Sequence, residues 1–110
     1  MSDMLVIYVD ETPAYEFDKR EGLARMQFAY VQRMDDDMDK GISLNGEQVR
    51  SPTQMQRTQF VIGRLLDALS VNDSRAIAML CRYLAHRVPN LDAIRVEEDG
   101  DEYSVDLVYS

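Results

Sequence analysis

Four aspartates crowd into five positions, Asp35, Asp36, Asp37 and Asp39, and such hard oxygen donors are the first candidates for chemistry in this chain. The run Asp35-x-Asp37-x-Asp39 resembles the opening of a calcium-binding EF-hand loop, which needs glycine at its sixth position and glutamate at its twelfth. With Asp35 first, those places hold Lys40 and Gly46. Moving Gly41 to the sixth place brings Glu47 to the twelfth, but puts Met38 and Lys40 where acids are required. Neither register completes the loop, so Asp35, Asp37 and Asp39 are weak divalent-cation candidates only. No specific metal and no other cofactor is expected.

The remaining reactive side chains are sparse. The single histidine, His86, follows Arg82 by four residues on a helix face. Zinc would need Cys and His partners that the sequence lacks. Cys81 and His86 are five residues apart, roughly 140° around a helix, too far for a nucleophile and base pair. Cys81 falls on an apolar stripe and reads as a buried structural thiol. The glycines are isolated, so no phosphate-cradling loop is present. No carboxylate pair stands out for acid–base work, and a non-enzymatic role is expected. Arg75, Arg82 and His86 share one side of a helix. They form a candidate site for an anionic, phosphate-bearing ligand of a regulatory protein.

These groups depend on two helices between Ser51 and Pro89. Ser51-Pro52-Thr53-Gln54 reads as a capping box, with Ser51 as the cap and proline at the first helical position. Met55, Ile62, Leu65, Leu66 and Leu69 then fall on one face of a helix running to about Ser70. Phe60 projects roughly 180° from that face, beside Gly63 and flanked by Arg57 and Arg64. An aromatic opposite its own helix's core side suggests a second packing surface. Either the chain's own N-terminal helix covers it or a second subunit does. Asn72-Asp73-Ser74 caps the next helix, whose stripe is Ile77, Leu80, Cys81, Leu84 and Val88. The short joint predicts a helical hairpin. The first helix is too long, and the turn lacks the glycine, for a DNA-reading helix-turn-helix.

The flanks read as strands and one more helix. Met4–Val9 is a continuous apolar run, fitting a strand buried on both faces. Ala14–Phe17 alternates, and is either a brief second strand or an extended lead-in. From about Lys19 to Asp39 the pattern is helical, with Leu23, Met26, Tyr30 and Met34 on one face, Met38 at its edge, and Ala24, Phe28 and Val31 widening it. Gly22 weakens the first turns. The acids at the far end oppose the helix dipole. Asn45-Gly46 between alternating residues predicts a hairpin, Ile42–Leu44 with Glu47–Val49. Ala93–Glu97 and Tyr103–Tyr109 predict another, turning at Asp99-Gly100. The sequence ends there, so that last strand could lie at a sheet edge and pair with its mate in a dimer.

At 110 residues this is one domain, with 45% hydrophobic and 29% charged residues, an ordinary globular composition. No apolar run reaches the ~20 residues of a membrane span. Asp3 precedes the first apolar run without a basic segment, unlike a signal peptide. With one cysteine, these features predict a cytoplasmic protein. The net charge is −8, yet Gln48–Arg95 holds seven arginines against three acids. The bulk charge argues against nucleic acid or an anionic membrane. The expected fold is α+β, in the order β-α-β-β-α-α-β-β, with an antiparallel sheet from the first strand and two hairpins under three helices. The expected role is a protein–protein interaction module, homodimeric, contacting through Phe60, Arg57, Arg64 and Gly63.

Overall fold

The computed structural model describes residues 3–20, 25–44 and 46–110, with α1 side chains from Ala29 onward. Gly22, Leu23, Ala24, Asn45 and the side chains of Met26 and Phe28, which entered the sequence reading, lie outside that set. The fold is α+β. Its elements are β1 (Met4–Val9), β2 (Thr12–Asp18), α1 (Arg25–Asp39), β3 (Ile42–Leu44), β4 (Glu47–Val49), α2 (Gln54–Ser70), α3 (Ser74–Arg87), β5 (Leu91–Asp99) and β6 (Glu102–Tyr109).

The main sheet runs β2-β1-β5-β6. The two most apolar strands, β1 and β5, take its centre and pair parallel, with Ile7 opposite Ile94 and Val9 opposite Val96. The sheet is therefore mixed, where an antiparallel one was expected. The alternating segment Ala14–Phe17 belongs to a full strand, β2, antiparallel to β1. Asp10 and Glu11 make its turn with φ of 49° and 68°, and the Asp10 carboxylate accepts the Glu98 N–H at 2.9 Å. β1 is not buried on both faces. Leu5 and Ile7 are fully inside while Met4, Val6 and Tyr8 on the other face are half-exposed.

The hairpin β3-β4 forms as the sequence predicts, with Leu44 opposite Glu47 and Gly46 at φ 81°, but it stands apart as its own two-stranded sheet. Each strand has only three residues, and its buried anchor, Ile42, sits where β3 packs on α2 rather than at the main sheet's edge.

The capping box of α2 lies two residues later than expected. Thr53, extended at φ −68° and ψ 167°, accepts the Gln56 N–H at 3.2 Å, and the Gln56 side chain accepts the Thr53 N–H at 2.8 Å. Ser51 is excluded from that role because it takes a left-handed φ of 47°, whereas a cap residue needs extended backbone. Met55, expected in the core, is 73% exposed. Asp73 caps α3 as expected, accepting the Ala76 N–H at 3.1 Å.

α2 and α3 pack on each other, and their buried residues include Val61, Ile62, Leu65, Ile77, Cys81 and Leu84. These join Leu5, Ile7, Phe17, Leu91, Ile94 and Val96 of the sheet in one core. α1 packs against α3, burying Val31 and Met38, while Tyr30 and Met34 are half-exposed. The helix expected from Lys19 is a turn there. The Lys19 ammonium instead donates to Asp92 at 2.7 Å and to the Pro89 carbonyl at 3.0 Å, tying the end of β2 to the start of β5.

Candidate functional site

The densest polar cluster lies where the three helices meet. Asp35, in the last turns of α1, receives three donors from two other helices. The Tyr83 hydroxyl donates to its Oδ1 at 2.6 Å, Arg57 Nη1 to the same oxygen at 3.3 Å, and Arg87 Nε to Oδ2 at 2.7 Å. Tyr83 and Arg87 are four apart on α3, so one helical face presents both. Arg57 comes from the first turns of α2. It also donates to Asp39, to the Asp35 carbonyl at 3.0 Å and, through Nε, to the Pro52 carbonyl at 3.0 Å. Arg87 further donates to Gln32 at 3.2 Å, and Gln54 approaches the Tyr83 oxygen at 3.4 Å. The Arg57 and Asp35 side chains are each 14% exposed.

Both carboxylate oxygens of Asp35 are engaged, and two guanidinium groups balance its charge. Burial acts to lower the Arg57 guanidinium, but Asp39 and Asp35 beside it prevail and hold it above its ordinary value. Burial, and then donation to Asp35, push the Tyr83 hydroxyl up to about 12. Burial likewise pushes the Cys81 thiol up to about 12, which leaves it protonated and unreactive near neutrality. Each of these groups keeps its proton and each oxygen keeps its donor. The cluster ties α1 to α2 and α3.

The expected contact surface is divided. Arg57 is not available to a partner, because its guanidinium is engaged by α1. Phe60 is half-buried on a cleft of about 320 Å³ whose walls include Tyr30, Met34 and Met38 of α1 and Ile42 of β3. Tyr30 and Met34 of the chain's own N-terminal helix thus line the same cleft as Phe60. Arg64 is exposed and stacks on the Phe60 ring at 5.8 Å, and Gly63 is exposed with nothing within 4 Å of where a Cβ would stand.

Of the anion candidates, Arg75 is exposed at the start of α3 and shares a cleft of about 250 Å³ with Arg64 and Tyr30. Arg82 and His86 are half-buried farther along α3 and do not line that cleft. The metal candidates separate as well. Asp35 and Asp39 turn to arginine, Asp36 accepts Gln32 at 3.2 Å, and Asp37 stands exposed 3.9 Å from Lys40. Sequence reasoning missed Tyr83, Arg87 and Gln54. The one available signal was the run of acids opposing the dipole at the end of α1, which called for cations brought from elsewhere.

A second candidate surface is the β6 edge of the sheet. Among the described residues, no strand pairs with the outer side of β6. It runs eight residues without proline or lysine, and Tyr103, Val108 and Tyr109 are 57%, 39% and 50% exposed. The opposite edge differs: β2 carries Pro13, and its pairing to β1 is broken by a bulge near Tyr8. Proline and bulges are among the usual guards against edge-to-edge pairing. β6 has no proline, and the irregularity in its own pairing falls at its far end, between Leu91 and Ala93 of β5, although charged Glu102 and Asp106 stand along it. Clefts open at both ends of the seam between α2 and β6. One, of about 260 Å³, includes Met55, Leu107 and Tyr109, and the other, of about 440 Å³, includes Leu66, Leu69 and Tyr103.

No described helix is long and apolar enough to cross a membrane. No protein-family model, curated protein or solved structure matches the chain.

Proposed function

We propose that this chain is a non-enzymatic protein–protein interaction module that works as a homodimer. The observation that carries the reading is the proline-free edge strand β6, with Tyr103, Val108 and Tyr109 exposed along it, set against a β2 edge interrupted by Pro13 and a bulge. An open edge offers unpaired backbone donors and acceptors to another strand, and exposed side chains on β6 add apolar area. The non-enzymatic part is supported by the Asp35 cluster, whose donors and acceptors are already matched within the chain. The surface assigned to the partner is β6, since Arg57 is held by α1.

Light scattering on a size-exclusion column tests this directly. The expected mass at tens of micromolar is twice that of the chain. A monomer at every accessible concentration ends the reading.

A further inference from the structure

Resting on that reading, we infer that two copies join by antiparallel pairing of their β6 strands about a two-fold axis at Val105, extending the sheet from four strands to eight. Four features of β6 lead to this register.

The first is geometric. A two-fold axis perpendicular to the sheet keeps the helix-covered faces of both copies on one side. Side chains alternate along a strand, so only residues of like facing can stand opposite each other. One residue of β6 must therefore sit on the axis, opposite its own copy.

The second is charge. Asp106 on the axis would face Asp106 of the partner subunit. Ser104 on the axis would set Asp106 against Glu102 of the partner subunit. Like charges directly opposite are destabilising. With Leu107 on the axis that conflict disappears, but only the five residues Tyr103's side leaves over, from Val105 to Tyr109, remain paired. Val105 on the axis puts no like charges directly opposite each other and keeps Glu102–Val108 paired, which makes it the longest permissible register.

The third is complementarity within that register. Ser104 stands opposite the partner subunit's Asp106, a hydroxyl facing a carboxylate, and the symmetry repeats this twice. Tyr103 stands opposite the partner subunit's Leu107 on the helix-side face, also twice. Val105 meets the partner subunit's Val105 between them.

The fourth is the seam between α2 and β6. Leu107 borders the cleft that holds Met55, the most exposed large apolar side chain among the described residues. The register brings the partner subunit's Tyr103 alongside Leu107 and so to the mouth of that cleft. By symmetry, Tyr103 of each copy covers apolar surface on the other. Another protein's strand could use the same edge, but would not be required to match β6 against itself in this way.

The test is a pair of spin-label distances in the full chain. Cysteine is introduced singly at Glu102 and at Val108, both exposed, with Cys81 left buried and unlabelled. Each residue lies three positions from the axis, so each label faces its own copy across six residues of strand. At about 3.4 Å per residue both pairs give about 21 Å between backbones, and the two are equal. A register centred on Asp106 gives about 27 Å for Glu102 and about 14 Å for Val108 instead. Dimers with unequal distances overturn the register while leaving the homodimer standing. A monomer by light scattering of the unmodified chain overturns both. Should either label disturb association, Ser104→Cys and Asp106→Cys, one residue from the axis on either side, must likewise give equal distances, and unequal ones overturn the register.

Discussion

The Tyr83 hydroxyl donates to the Asp35 carboxylate at 2.6 Å across 48 residues of sequence, joining α3 to the last turns of α1. Arg57 and Arg87 close on the same carboxylate, so one acidic side chain holds three helices in register. Removing one member of such a partly buried group leaves the others short of a partner, which costs more than the net worth of the contacts themselves.

Asp35→Ala removes the carboxylate shared by two guanidinium groups and a phenol, while Arg57 keeps Asp39 and two backbone carbonyls and Arg87 keeps Gln32. The expected loss of stability is about 2–4 kcal/mol, below the cost in a fully dry site because the carboxylate is 14% exposed. Urea unfolding followed by circular dichroism checks it. A loss within about 0.5 kcal/mol, as for an ordinary surface change, would show that the cluster holds nothing together.

Tyr83 carries an alkaline pH dependence. Its ordinary value is 10.0 and the folded chain raises it to about 12. Between those values the unfolded chain loses the phenolic proton while the folded chain keeps it. Stability is therefore full below pH 10 and falls as pH rises toward 12. Cys81, raised from 9.0 to about 12, adds a fall of the same sign that starts lower. Tyr83→Phe should lose stability at pH 7 and show a shallower decline above pH 10 than the parent. Denaturant midpoints measured from pH 8 to 11.5 give both slopes. Identical slopes would contradict the buried, hydrogen-bonded phenol.

The two candidate caps of α2 are separable by substitution. Thr53→Ala removes the acceptor for the Gln56 N–H and should cost about 1 kcal/mol. Ser51→Ala, outside the box and at left-handed φ, should not carry that capping loss. Melting temperatures of the two variants, compared side by side, decide between the registers. Equal losses would mean that the box is not fixed at Thr53.

Self-association should strengthen with salt. Each copy carries a net charge of −8, and two such chains repel as they approach. Raising ionic strength from 0.02 to about 0.5 M shortens the screening length several-fold and lowers that cost. Sedimentation equilibrium at the two salt levels measures the shift. Weaker association at high salt would instead mean that ion pairs between copies, such as acidic turns against arginine faces, hold the dimer.

Several elements could be read from local rules alone. The hairpin at Gly46, the turn at Gly100 and the Asp73 cap each depend on residues a few positions apart. Cys81, Ile62, Leu65 and Leu84 declared themselves as core by helical periodicity, and all are buried. The α+β order followed from the same patterns. Local rules failed where neighbours competed. Ser51 and Thr53 both suit a cap, and the backbone angle at Ser51 decided between them. Met55 has the right angle for the core stripe, but it lies in the first turn of α2 and borders an open cleft with Val88 and Leu107.

The amino-acid order by itself determined most of the elements and the membership of much of the core, because propensity, periodicity and turn chemistry act over a handful of residues. Tertiary structure alone decided that β1 would pair parallel to β5, that β3-β4 would leave the main sheet, and that Asp35 would bind Arg57, Tyr83 and Arg87. Those outcomes join residues from 22 to more than 80 positions apart. No local pattern encodes such distances. They are set when buried apolar surface and buried charge are matched across the whole chain at once.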